Sequence, residues 1–196
     1  MLSPLSSLAA LWLTWLLSWF LASGWTTRTV TQQSAGARIL QSVPVWIGAI
    51  LLIRTSRDLL VTPFFQSRPW IGWIAVVLAM LGFAFTWWAR IHLGRLWSAA
   101  VTLKADHTLI RSGPYAITRH PIYTGLLLAV LATALARGSL SGLLGFGLIL
   151  LGLVLKLRQE EQFLHTQFGS AYDAYKKDVP ALVPDVLTLS VRRRRA

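Results

Sequence analysis

Three observations predict an all-α integral membrane protein with about five transmembrane helices. The 196 residues are 55% hydrophobic and only 13% charged, too apolar for an ordinary soluble domain and typical of a multi-span membrane protein. Charge is absent from five windows, residues 1–27, 39–53, 69–89, 121–136 and 138–155, and a perpendicular span needs about 20 apolar residues. Between those windows the basic residues fall unevenly on alternate sides. One membrane domain is expected over 1–196, with no internal repeat.

The first window reads as a retained span rather than a cleaved signal. It lacks a basic leading region, and its apolar stretch carries three tryptophans. A polar connection rich in Thr, Gln and Ser follows over 26–37. The second and fourth windows are short, and are expected to be flanked by thinned or polar surroundings or extended by snorkelling Arg54 and Arg137. Around the third, Trp70, Trp73, Trp87, Trp88 and Trp97 are expected to mark interfacial belts. Residues 101–110 alternate weakly around Lys104-Ala105-Asp106, which suggests a short hairpin or extended strip.

Only Arg137 separates the last two windows, and Arg137 to Ser139 leaves room for no more than a short turn, so those spans should form a tight antiparallel hairpin. Gly138, Gly142, Gly145 and Gly152 let a neighbouring helix approach closely. The fifth helix keeps its apolar period through Leu155, Leu157, Phe163, Leu164 and Phe168 until Gly169. From Gly138 to Phe168 it would run about 46 Å, against ~30 Å of hydrocarbon. Its last turns therefore project from the bilayer as a C-terminal helical extension. Ser170 with Asp173 reads as the cap of a further short helix bearing Tyr172 and Tyr175. A basic tail occupies 185–196.

Five spans place fifteen of the nineteen Lys and Arg residues on one side and four on the other. The positive-inside rule makes the richer side cytoplasmic, with the N-terminus outside and the C-terminus inside. This also explains the net charge of +12 without nucleic acid as a partner; membrane lipids are the expected surroundings. There are no cysteines, which excludes disulfides, thiolate metal sites and a Cys nucleophile. His92, His107 and His165 have no metal-ligand spacing with an acid pair, and no Ser-His-Asp or His-Glu-x-x-His pattern exists. Gly145-Phe146-Gly147 lies inside an apolar span and lacks the strand and third glycine of a nucleotide fingerprint.

Two polar clusters remain, both on the expected cytoplasmic side. Residues 111–125 place Arg111, Tyr115, Arg119, His120 and Tyr123 on a Gly-Pro turn entering a Pro-started helix. Pro121 suits the first helical position and biases His120 out of the helix. His120 then sits where unpaired N–H groups and the helix dipole favour an anion. The second cluster, Lys156 to Glu161, carries two of only seven acids in the chain. Charge at a membrane edge is costly and commonly functional, although Arg119 also suits a lipid anchor and Lys156 a solvated pair with Glu160. Together the clusters offer an anion site and a carboxylate pair, which suits a zwitterion such as an amino acid, with ribose hydroxyls as a further use.

His107-Thr108-Leu109-Ile110, Ser112-Gly113-x-Tyr115, Arg119-His120-Pro121-x-Tyr123-x-Gly125, Glu160-Glu161, Phe168-Gly169-x-x-Tyr172-x-x-Tyr175 and the stretch Val179 to Pro184 resemble the isoprenylcysteine carboxyl methyltransferase family. Phospholipid methyltransferases share the histidine-proline and twin-glutamate elements more loosely. The likeness covers 90–184, a methyltransferase-like core with a cofactor pocket. It implies transfer of a methyl group from S-adenosyl-L-methionine to a lipophilic or prenylated acceptor, with a carboxylate as the methylated group. By position, His107, Thr108, Leu109, Ile110, Tyr115, His120, Pro121, Ile122, Tyr123, Glu160 and Glu161 would form the cofactor site. Lys156 and Arg119 would face the acceptor. Lys156 stands where the family has arginine; it keeps the charge without the bidentate fork. A carboxylate acceptor needs no base, whereas a phenol would draw on His120 or Glu161. A membrane-bound sterol or steroid reductase using NADPH, or a non-enzymatic membrane subunit, stays open at this point, as do the acceptor's identity and the oligomeric state.

Overall fold

The computed structural model describes residues 3–26, 29–32, 34–53, 69–97, 102–104 and 108–184. Five apolar helices make the body: α1 (Pro4–Leu21), α2 (Ala35–Ile53), α3 (Pro69–Leu93), α4 (Pro121–Arg137) and α5 (Leu140–Phe168). Four of them are long and apolar enough to cross a membrane, and α4, at 17 residues, is the shorter fifth. The protein is an integral membrane protein. A short helix, α6 (Ser170–Asp178), follows α5.

Local chemistry sets the helix ends. Ser3 caps α1 in a reciprocal capping box with Ser6, and Pro4 takes the first turn. His120 caps α4 at φ −123°, ψ 63°, outside the helical region as a residue before proline should be. Gly138, at φ 58°, ends α4, and one residue later the Ser139 hydroxyl accepts from the Gly142 amide at 3.3 Å to start α5. The expected cap at Ser170 is not formed. Gly169, at φ 49°, closes α5 and is itself the residue before α6, so the amides of Tyr172 and Asp173 bond to its carbonyl. Backbone replaces the side-chain cap. Helix α2 begins four residues before its charge-free window and carries Pro44 internally.

The passes alternate in direction. Pro4 lies beside Gly72 at the starts of α1 and α3, and the Arg90 guanidinium near the end of α3 bonds carbonyls just beyond the end of α1. Those helices run parallel. Gln41 near the start of α2 donates to Gln159 near the end of α5 at 2.8 Å, and His120 at the start of α4 meets Glu160 and Glu161. α2 and α4 therefore run opposite to α5. The start of α1 and the end of α5 sit at opposite ends of the bundle.

Packing is organised by two close crossings. Helix α3 lies chiefly along α4, and α2 along α5, while the α4–α5 hairpin is tight at its turn but packs less extensively. A side chain at Gly82 would meet the Gly125 carbonyl at 2.5 Å, and one at Gly48 would meet the Gly145 carbonyl at 2.6 Å. Only glycine lets these backbones approach. Helix α1 is held by its indoles: Trp12 donates to Thr133 at 3.0 Å, and Trp15 to Thr86 at 2.8 Å. At membrane depth these bonds satisfy N–H groups that lipid cannot.

Two sequence expectations change here. Trp70, Trp73 and Trp88 are exposed, as belt residues should be, but Trp87 donates to Ser18 at 3.1 Å and Trp97 packs edge-on against Trp19. Those two are turned inward by α1. The extended strip expected within 101–110 is a strand, β2 (Thr102–Lys104), pairing antiparallel with β1 (Thr29–Gln32) rather than with its own neighbours. Arg54, Arg57, Arg68, Asp106, His107 and the 185–196 tail lie outside the described residues.

Candidate active site

A cavity of about 520 Å3 opens at the end of the bundle where α4 begins and α5 leaves the apolar region. Its two halves differ in chemistry. One is polar, lined by Thr108, Tyr115, His120, Tyr123, Lys156 and Glu160. The other is aromatic and aliphatic, lined by Trp15, Leu16, Trp19 and Phe20 of α1 with Leu96 and Trp97 beyond α3.

Geometry at the polar end follows from two helix termini facing each other. One turn into α4, the Tyr123 hydroxyl donates to Glu160 Oε2 at 2.7 Å. The His120 ring lies parallel to the Tyr123 ring, centroids 5.5 Å apart, and its two nitrogens approach both glutamates, Nδ1 to Glu160 at 3.7 Å and Nε2 to Glu161 at 3.4 Å. Lys156 lies one turn before Glu160 on α5, with Nζ 5.4 Å from the Tyr123 ring centre. A carboxylate, an ammonium and stacked rings thus share one wall.

Glu161 does not line the cavity. Its carboxylate receives Nε and Nη2 of Arg119 at 2.9 and 2.6 Å, and Lys176 Nζ lies 3.5 Å away. Arg119 borders the cavity, but its remaining donor group bonds the carbonyls of Lys176 and Val179. The guanidinium is therefore engaged with the chain after α5. Nearby, the Arg119 and His120 amides bond the carbonyls of Pro180 and Ala181 at 2.9 and 3.1 Å, and Thr124 donates to Leu182 at 2.7 Å. Residues 179–182 form a strap across the start of α4, using N–H groups that the sequence alone left for an anion.

The tyrosines around the strap stay neutral donors. Burial, with the Glu160 charge adding to it, holds the Tyr115 phenol far above its usual value. Burial raises Tyr175 to about 12 against the opposing pull of Arg119 and Arg111. Tyr175 donates to the Tyr115 carbonyl at 2.6 Å, and the Arg111 guanidinium lies 5.2 Å from its ring centre. Neither phenol is a base at neutral pH.

Of the residues singled out in the sequence, Thr108, Leu109, Ile110, Tyr115, Arg119, His120, Pro121, Ile122, Tyr123, Lys156 and Glu160 all border the cavity. Glu161 stands behind it, and His107 is outside the described residues. The α1 wall escaped sequence reasoning. Its signal was the spacing of Trp12, Trp15 and Trp19, which puts three indoles on one helix face, although such a face reads equally as lipid contact. Among the described residues no group of His, Asp and Glu is arranged to hold a metal ion.

Residues 74–166 match the isoprenylcysteine carboxyl methyltransferase (ICMT) family. The chain is similar to the protein-S-isoprenylcysteine O-methyltransferase of Schizosaccharomyces pombe, 34% identical over 49% of this chain and 42% of that protein. It is also similar to the protein-S-isoprenylcysteine O-methyltransferase B of Arabidopsis thaliana, 27% identical over 63% of this chain and 64% of that protein. The cobalt-zinc-cadmium resistance protein CzcN of Cupriavidus metallidurans is 31% identical over 59% and 51%. The chain spans about half the length of the curated relatives it matches. The segment matched to the ICMT family runs from within α3 nearly to the end of α5 and contains the histidine-proline step, both glutamates and the helices that present them.

Proposed function

We propose that this protein transfers a methyl group from S-adenosyl-L-methionine to the carboxylate of a lipophilic, prenylcysteine-type acceptor. The observation that carries the reading is the two-ended cavity. Its polar end joins Glu160, Tyr123, His120 and Lys156, and its aromatic end opens among membrane-spanning helices.

The residues present fit the methyl donor. A pocket of about 520 Å3 falls within the ~300–1,000 Å3 range of small-molecule sites. Glu160 offers a carboxylate to an ammonium or a ribose diol, and the faces of Tyr123 and His120 suit a flat base or a cation. When bound, the donor supplies a methyl group already activated by a sulfonium centre.

What the chain contributes is position, charge and the exclusion of water. Tyr123 fixes the Glu160 carboxylate through a charge-assisted bond. Glu161 and Arg119 fasten the 179–182 strap, which covers the start of α4. Lys156, four residues before Glu160, is the cation placed to receive an acceptor carboxylate, and the α1 wall receives its apolar chain. A carboxylate is already a nucleophile, so orientation and desolvation are the main requirements. No proton needs to be removed.

The polar donor enters from the water at the exposed end of α5, and the lipid acceptor enters from the bilayer. Both meet only where α4 and α5 cross the interface. Purified protein in detergent, titrated with S-adenosylhomocysteine and assayed for tritiated methyl transfer to N-acetyl-S-farnesylcysteine, tests the reading. Binding together with label in base-labile methyl ester is expected. Binding of NADPH with none of S-adenosylhomocysteine would overturn it in favour of a reductase.

A further inference from the structure

Arg90 is fully buried near the end of α3, within an apolar helix. A guanidinium there is costly unless its donors are satisfied. Its partners are backbone carbonyls from two separate segments: Nη1 donates to Gly94 at 2.6 Å, and Nη2 to Ala22 and Trp25 at 3.0 and 2.8 Å. The planar group lies between two indoles, 4.9 Å from the Trp25 ring centre and 4.6 Å from that of Trp97. The Thr26 hydroxyl adds a 2.8 Å bond to the Trp97 carbonyl. One cation therefore binds the end of α1, the end of α3 and the start of the following segment.

The carbonyls it gathers lie just beyond the ends of α1 and α3, where those of Ala22 and Gly94 each accept one backbone amide and have a lone pair to spare, and a cation is favoured at that pole of the dipole. The consequence reaches the cavity. Trp97 borders its apolar end and packs edge-on against Trp19 of α1 at 5.7 Å, and Trp19 stacks on Trp15. Helix α1 lies outside the family match at 74–166, so Trp15 and Trp19 come from outside the matched segment, whereas Trp97 and Arg90 lie within it.

We propose that Arg90 is a positioning residue that holds the Trp19–Trp97 wall in place and so sets which apolar chain the site accepts. It touches neither reactant. Its fork is required because three carbonyls in different directions are bound by a planar group that also stacks between two rings; lysine reproduces the charge without the plane. The inference rests on the reading of the aromatic end as the acceptor's end.

Two measurements test it. Methyl-transfer kinetics on Arg90→Gln and Arg90→Lys should show KM for N-acetyl-S-farnesylcysteine raised tenfold or more, with S-adenosylhomocysteine affinity within twofold of the parent. Lys should recover part of the loss, and the preference for farnesyl over geranyl acceptor should shrink. The chain has no cysteine, so spin labels at Gly24→Cys and Ile91→Cys report the α1–α3 end distance without any substrate. A single narrow distance in the parent should broaden in Arg90→Gln. Unchanged acceptor KM and distance would overturn the proposal. Parallel loss of cofactor and acceptor binding would also overturn it, by making Arg90 a general fold residue. If the parent binds no S-adenosylhomocysteine, the methyl-transfer reading fails, and an unaltered label distance alone then overturns the clamp.

Discussion

Adjacent residues on a helix point about 100° apart, and this separates the roles of Glu160 and Glu161. The sequence made both visible as two of seven acids beside a membrane, but it could not say that only one faces the cavity. The fork of Arg119 decides that, and it comes from 42 residues earlier, just before α4. Glu160→Gln should weaken S-adenosylhomocysteine binding by about ten- to a hundredfold, the cost of a charge-assisted bond at roughly 1.5–3 kcal/mol, without lowering the melting temperature. Glu161→Gln should do the reverse, lowering the melting temperature more than it affects binding when saturating ligand holds the site together. Calorimetry and thermal melts on the same two preparations check this, and identical profiles would erase the distinction. Tyr123→Phe, which removes the 2.7 Å bond to Glu160, should cost about 1 kcal/mol of binding.

The elements show a similar division between what pattern reveals and what contact adds. Charge-free windows located all five helices because lipid exposure requires apolar residues on every face. The strap of residues 179–182 had no such signature, since its hold consists of backbone bonds to Arg119 and His120 and one to the Thr124 hydroxyl. Arg119→Gln removes the ion pair with Glu161 and the bonds to Lys176 and Val179. Hydrogen exchange in the 176–182 peptide should rise at least tenfold, and protection within α4 should persist. Unchanged exchange would mean that the backbone bonds alone keep the strap closed. The crossings make a second demand. At Gly145 an added side chain would meet the Gly48 carbonyl at 2.6 Å, so Gly145→Leu must separate α2 from α5. Overpacking of this kind costs about 1–3 kcal/mol, and the Gln41–Gln159 bond between the same helices should be lost with it. Gly147→Ala, where nothing lies within 4 Å, is the matched control and should melt like the parent.

For the whole molecule, five alternating passes put the start of α1 at one end and the cavity, the end of α5 and α6 at the other. The positive-inside rule, applied to fifteen basic residues against four, assigns the cavity end to the cytoplasm. The proposed methyl transfer calls for the same side by a separate argument. A charged nucleoside donor made inside the cell does not cross a bilayer, so under the proposed reaction its site is expected to open inward. The bundle's asymmetry gives this a clean test, because no native cysteine competes for label. Gln167→Cys lies on the exposed part of α5 beyond the glutamates. In intact cells it should react with a membrane-permeant maleimide and resist an impermeant one. A reporter fused after Ala196 that is active only in the cytoplasm should be active. Removal of 185–196 should leave methyl transfer intact, because the described residues that border the cavity already supply its polar and its apolar end. If the impermeant reagent modifies Gln167→Cys in sealed cells, the orientation is inverted, and entry of the donor from the cytoplasm fails with it.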